Sequence, residues 1–174
     1  FRSGQLGNNL TQTSVTSPVA LSRGAIPDDV TLSDISAGGT HTCALGTDGN
    51  GYCWGRNEYG QLGNNTTIDS YVPVMVNKGA ISSGGTIISI STEYYDTCVL
   101  DSYGKVYCWG YNENGQLGVN DYVNRYTMTP VSIIDQIPTV AFGSIYATNV
   151  TYSSSTSISL TAPVISLPGT IPVK

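Results

Sequence analysis

Cys53-Trp54-Gly55-Arg56-Asn57-Glu58-Tyr59-Gly60-Gln61-Leu62-Gly63 returns 55 residues later as Cys108-Trp109-Gly110-Tyr111-Asn112-Glu113-Asn114-Gly115-Gln116-Leu117-Gly118. Its end, Gly-Gln-Leu-Gly-Asn-Asn at 60–65, also stands at 4–9. Self-similarity at a fixed spacing marks a repeat architecture, in which each unit buries its apolar face only against its neighbours. Aligned without a gap, residues 35–65 and 90–120 agree at 17 of 31 positions. Most of the agreeing residues are cysteine, tryptophan, tyrosine, glycine, leucine and asparagine, which is the vocabulary of turns and cores. No nucleophile-and-base set or metal-ligand set recurs.

Working outward, each unit reads as strands separated by turn chemistry. Residues 35–46 form a strand with a bend allowed at Gly38-Gly39, and Thr47-Asp48-Gly49-Asn50-Gly51 is a turn cluster. Tyr52–Gly55 returns, Asn57–Asn65 is a glycine-spaced loop, and residues 71–76 form an apolar strand whose Pro73 suits an edge. Residues 10–34 are Ser/Thr-rich and turn-rich, with Val15, Val19, Leu21 and Ile26 able to line a short strand. Beyond residue 136 the only charged side chain is Lys174, and small polar and apolar residues alternate, as in a half-buried strand. Residues 141–150 echo residues 35–45 without cysteine. No helical period is present. The expected fold is all-β: two propeller-blade-like antiparallel units, partial repeats, and an extended C-terminal strand segment. The repeat region is 1–135 (partial repeat 1–34, repeat 35–89, repeat 90–135), and 136–174 is a tail for assembly.

The four cysteines fall as Cys43/Cys53 and Cys98/Cys108, each pair flanking a turn, so the two strands face their cysteines toward each other within disulfide reach. Two pairs of buried thiols are the alternative. The spacing is not a usual zinc pattern, and the single histidine cannot complete a tetrahedron. Disulfides imply an oxidising, extracellular setting.

Composition narrows function further. The 174 residues carry a net charge of −5 with only 11% charged. Seven scattered basic residues make no stripe for phosphates, which argues against a nucleic-acid partner. No apolar run reaches the length of a membrane helix. The chain starts at Phe1 inside a repeat, as a processed chain or a segment of a longer one does.

The unit resembles the regulator of chromosome condensation repeat, in Ile35-Ser36-Ala37-Gly38-Gly39-Thr40-His41-Thr42-Cys43-Ala44-Leu45, Asp48-Gly49 and Tyr52–Gly63. The second copy departs at Glu93-Tyr94-Tyr95-Asp96. The resemblance covers about residues 1–131. It implies four-stranded blades of a β-propeller, usually of seven blades. It also implies a range of roles: nuclear exchange factors for a small GTPase, secreted β-lactamase inhibitors, and extracellular bacterial proteins. The two-cysteine form is similar to the secreted branch. Two full repeats cannot close a seven-bladed ring, so bare edges and faces invite other chains.

Individual residues read mostly as structural. His41 lacks a nucleophile motif. Asp28, Asp29 and Asp34 suit turns better than calcium. Glu58 and Glu113 recur by duplication rather than as a glycosidase pair. Trp54 and Trp109 belong to the blade core rather than to a sugar platform, and Leu62 and Leu117 are expected to be buried between blades. Asn9, Asn64, Asn65 and Asn149 open glycosylation sequons. The expected function is a non-enzymatic extracellular structural protein without cofactor or metal. It would assemble with other copies of itself by strand exchange, with Ser157–Val173 pairing with or packing on a neighbour, and would carry covalent glycans. The alternatives are an extracellular binding module for a protein or glycan, and a secreted enzyme inhibitor.

Overall fold

The computed structural model describes residues 4–10 and 15–132, together with the backbone of 141–142, 145–146, 148–154 and 157–161. The chain separates into two compact units, Phe1–Ser132 and Ile133–Lys174. The first holds two blades. Blade 1 is the meander β1 (Leu32–Ala37), β2 (His41–Gly46), β3 (Gly51–Gly55) and β4 (Ser70–Met75). Blade 2 is β5 (Ile87–Thr92), β6 (Asp96–Asp101), β7 (Val106–Gly110) and β8 (Arg125–Pro130). Each blade opens three residues earlier than the repeat read from the sequence, and 35–46 is two strands rather than one, because the chain reverses at Gly38-Gly39.

Register explains the cysteines. In the β2–β3 hairpin Cys43 lies directly opposite Cys53, and in β6–β7 Cys98 lies opposite Cys108. Both disulfides are closed, with Cα atoms 4.0 and 4.1 Å apart. The turns are fixed by side chains as well as by glycine. The Asp48 carboxylate accepts the Asn50 N–H, and the Asp101 carboxylate accepts those of Tyr103 and Lys105.

The core lies between the blades. Cys43, Leu45, Cys53, Leu62 and Val76 of blade 1 meet Ile87, Ile90, Val99, Tyr107, Trp109 and Met128 of blade 2. In each blade we call the face toward lower residue numbers proximal and the other distal. The proximal face of blade 1 is covered in part by Leu21, Ile26 and Val30 packed on Tyr52. Those residues lie in a run of turns rather than in the expected short strand. Val30 N–H closes a turn on Pro27 C=O, and the Arg23 guanidinium donates to the carbonyls of Pro27 and Val30. Asp28, at the surface, faces Arg23, and Asp34 accepts the N–H of Ile35, both within local turn or strand geometry.

In the second unit, β9 (Ala141–Phe142) pairs with β10 (Ile145–Tyr146), and β11 (Thr148–Ser154) pairs antiparallel with β12 (Ser157–Thr161). Of the segment Ser157–Val173, expected to run extended and pair with or pack on a neighbour, Ser157–Thr161 is extended and pairs with β11 of the same chain. Residues 162–173 lie outside the described residues.

Candidate functional site

The repeated Gly-Gln-Leu-Gly-x-Asn segment is a tongue that leaves its own blade and enters the next one. The tongue at 60–65 is held on blade 1 by one buried amide. Asn57 Oδ1 accepts the Leu62 N–H at 2.9 Å, while Asn57 Nδ2 donates to the carbonyls of Thr66 and Ile68. Asn112 does the same for the tongue at 115–120, accepting from Leu117 N–H at 2.9 Å and donating to the carbonyls of Asp121 and Val123. Leu62 and Leu117 are both buried, at 0% and 1% exposure. Leu62 lies in the core that joins the two blades.

The seat is on the proximal face of the following blade. Gln61 C=O accepts Trp109 Nε1–H at 2.8 Å and Thr97 Oγ1–H at 3.0 Å. Asn65, in the left-handed region at φ 63°, donates its N–H to Tyr126 C=O at 2.9 Å. Gly63 lies so close to the Trp109 indole that a Cβ there would meet Nε1 at 2.6 Å. The tongue at 4–9 occupies the matching seat on blade 1. Gln5 C=O accepts Trp54 Nε1–H at 2.8 Å and Thr42 Oγ1–H at 3.1 Å, and Asn9 N–H reaches Tyr71 C=O at 3.0 Å. Trp54 and Trp109 therefore belong to the blade-to-blade joint, where each buried indole N–H finds an acceptor. No role for the glutamine was legible in the sequence, because its main-chain carbonyl does the bonding. Its side chain braces the turn, Gln61 Oε1 accepting from Tyr59 N–H and Nε2 donating to Thr40 Oγ1 at 3.5 Å.

Around the joint, His41 is fully buried, with Nε2 2.7 Å from Thr97 Oγ1. The Thr97 hydroxyl gives its proton to Gln61 C=O, so Nε2 donates and Nδ1 is the bare nitrogen, buried without a partner. Burial lowers the His41 pKa from 6.5 to about 4, so the ring is neutral. Ser36 Oγ meets Thr92 Oγ1 at 2.9 Å and accepts the Thr92 N–H, and Thr40 Oγ1 donates to Tyr94 C=O. Tyr52 and Tyr107 each donate to a turn carboxylate, Asp48 at 2.7 Å and Asp101 at 3.2 Å. Burial, and then the Asp48 bond, push Tyr52 up to about 12. For Asp101 burial acts to raise the pKa, but donors from Lys105, Tyr103 and Tyr107 outweigh it and hold the carboxyl below its usual range.

The third tongue has no seat among the described residues. Gln61 and Gly63 are buried, whereas Gln116 and Gly118 are exposed. A Cβ on Gly118 would meet only Val131. The backbone is nevertheless the same, with Asn120 at φ 66°. The strand behind it agrees. All of β2 is buried, whereas in β6 the distal residues Asp96, Cys98 and Leu100 are only half-buried. Burial and the Glu93 carboxylate raise the Asp96 pKa above its ordinary value. On the proximal face of blade 1, Ile35 is 62% exposed where its counterpart Ile90 is 5% exposed.

The remaining predicted residues do not gather. Arg56 pairs with Glu58, and Glu113 accepts from the Tyr111 hydroxyl. Asn9 and Asn65 are exposed, and Asn64 is half-buried, its Oδ1 accepting from Asn57 and Thr66. Asn149 lies on β11, described by its backbone alone. Among the described residues no three His, Cys, Asp or Glu side chains converge as a metal site requires, and no helix is long and apolar enough to cross a membrane.

Two four-stranded antiparallel meanders, interlocked tongue into blade, define this protein as one built of propeller-blade repeats. Residues 48–99 and 103–147 match the regulator of chromosome condensation (RCC1) repeat, as do 32–61 and 87–116, and the chain belongs to that family. It is 35% identical over 94 residues to the ultraviolet-B receptor UVR8 of Arabidopsis thaliana, covering 54% of this chain and 21% of that protein. It is 38% identical over 94 residues to the probable E3 ubiquitin-protein ligase HERC6 of Homo sapiens, covering 52% of this chain and 9% of that one. The chain thus spans a small part of each of these relatives, and the likeness lies in the repeats. Solved structures share the fold: human WBSCR16 at TM-score 0.65 and 21% identity over 75% of this chain and 33% of that one, and Prp20p of Saccharomyces cerevisiae at 0.50 and 21% over 74% and 29%.

Proposed function

We propose that this chain is a non-enzymatic, extracellular structural protein, a subunit of a homo-oligomeric or filamentous assembly. The observation that carries the reading is the alternation along β6: a strand matching the fully buried β2 leaves Asp96, Cys98 and Leu100 half-buried. A blade face of this composition gains by being covered. The intrablade disulfides favour an oxidising compartment. A catalytic role finds no support in His41 and Thr97, which touch each other where no substrate reaches them. Glycans fit the exposed Asn9 and Asn65 better than Asn64, whose side chain is bonded inward. Sedimentation velocity over a concentration series tests the reading. Species larger than one chain support it, and a single monomeric boundary at every concentration contradicts it.

One observation favours a binding module instead. Tyr59, Tyr94, Tyr95 and Tyr111 meet edge-on, with centroids 4.6–6.2 Å apart, and Arg56 lies 5.9 Å over Tyr95. Tyr94 is well exposed. A protein or glycan that bound the native chain and lost affinity on Tyr94→Ala would establish that reading.

A further inference from the structure

We infer that the distal face of blade 2 and the proximal face of blade 1 are the two halves of one head-to-tail joint, closed by a second copy of this chain whose tongue at 115–120 replaces the tongue at 4–9. The inference rests on the structural-subunit reading and supplies its joint.

The joint already present between the blades is the template. There, His41, Cys43 and Leu45 face Ile87, Ile90 and Thr97, and Gln61 C=O enters the Trp109/Thr97 seat. Shifted by one repeat, those partners become Asp96, Cys98 and Leu100 facing Leu32, Ile35 and Thr42, with Gln116 C=O entering the Trp54/Thr42 seat. Among the described residues of Phe1–Ser132, both new halves keep apolar surface open: Leu100 is half-buried, and Leu32 and Ile35 are 36% and 62% exposed. The polar partners translate in part. Ser91 stands where Ser36 does, whereas Asp96 replaces His41 and meets the Thr42 hydroxyl, whose proton goes to the tongue carbonyl, only with its carboxyl protonated.

The seat on blade 1 is filled by the least anchored of the three tongues. Leu6 is 41% exposed, against 0% and 1% for Leu62 and Leu117. Phe1 stands where Asn57 and Asn112 supply the bracing amide. The tongue at 115–120 keeps that amide and its φ of 66° at Asn120, so it is organised before it docks. Exchanging one tongue for the other trades like hydrogen bonds for like, nearly neutral in free energy. Covering Leu32, Ile35 and Leu100 then drives the exchange. The contact is heterologous, so it propagates into an open fibre or closes into a ring according to the rotation per copy.

Equivalence of shape also breaks at positions 93 and 106. A Cβ at position 38 would strike the Glu93 carbonyl, so in the shifted joint the Cβ of Glu93 faces the Gly38 carbonyl. Val106 stands where Gly51 packs close to Ile87 and Ile90. The joint between copies is therefore looser than the internal one and depends on concentration.

The test is sedimentation velocity of the full chain and of Leu100→Asp and Glu93→Gly, with thermal melts of each. The joint predicts association of the parent chain, weakened roughly tenfold or more by Leu100→Asp, as for a charge placed in an interface core, and strengthened by Glu93→Gly. A reversible gain with an unchanged melt separates the joint from misfolding, which lowers the melt and gives irreversible aggregate. Parent association that neither variant changes overturns the joint and leaves the structural reading standing. A parent monomeric at all concentrations, destabilised by Leu100→Asp, overturns both and makes the face one covered by the chain itself.

Discussion

Strands β2 and β6 are built from matching residues and stand in matching sheets, yet every residue of β2 is buried while β6 alternates half-buried with buried. The residues that differ are those on the distal face. Blade 2 lies against that face of β2, and within the unit Phe1–Ser132 no described residue plays that part for β6. A strand in a repeat protein therefore takes half of its burial from its neighbour, as expected where stability is a sum of intrinsic and nearest-neighbour terms.

The sharpest way to break the comparison is to delete the same side chain from both strands. Leu45→Ala, at 6% exposure, should cost about 2–5 kcal/mol by denaturant unfolding. Leu100→Ala, half-buried, should cost about half of that or less. Equal costs would mean that β6 is covered after all.

The disulfides extend it. Each closes a short loop worth roughly 2–4 kcal/mol, but Cys43 and Cys53 are fully buried while Cys98 is half-buried. Under graded reductant, peptide mapping should find Cys98–Cys108 open first, because access limits thiolate attack. Simultaneous opening would contradict the difference in cover.

Position 41 and position 96 make the comparison in pH. Folding lowers the His41 pKa from 6.5 to about 4, so its contribution is complete above about pH 6.5 and is lost as pH falls toward 4. The loss is on the order of 3 kcal/mol for that shift. Asp96 has the opposite sign. Its pKa is raised, so its contribution is present below the ordinary carboxyl range and is lost as pH rises through the raised value. Unfolding curves from pH 4 to 7 should slope upward with pH, and His41→Gln should remove most of that slope.

The smallest effect is read at the tongues. Gly63 and Gly118 sit at φ 66° and 64°, so alanine costs about 1 kcal/mol of backbone strain at either. Only at Gly63 does the new Cβ also meet a tryptophan. Gly63→Ala should therefore be the more destabilising of the two in dilute solution, and a reversed order would contradict the seat.

The sequence carried the blades plainly, because the signals are local. Repeated Cys-Trp-Gly, turn clusters between facing cysteines and the glycine-spaced loop each determine their own segment. The burial of Leu62 and Leu117 followed from an apolar residue set among turn formers. The joint was not legible, since its acceptor is a main-chain carbonyl that any residue could offer. A tryptophan in a buried strand needs an acceptor, however, and that was the available signal. Nor could position reveal that Asp48 and Asp101, at different places in their turns, both hold the tyrosine of the returning strand. The apparent strand over Val15–Ile26 failed because its amides bond singly to separate partners, Ser22 to Gly7 C=O, Ala25 to Pro73 C=O and Ile26 in a turn to Arg23 C=O, rather than along one strand.

Asn65 N–H is bonded to Tyr126 C=O in the internal joint, and Asn120 N–H holds the same backbone geometry without a described acceptor. Hydrogen exchange of these two amides, followed from dilute to concentrated protein, should find Asn65 protected throughout and Asn120 exchanging freely when dilute, then becoming protected as copies associate. An Asn120 as protected as Asn65 in the dilute monomer, or one still unprotected in the assembled material, would contradict the account.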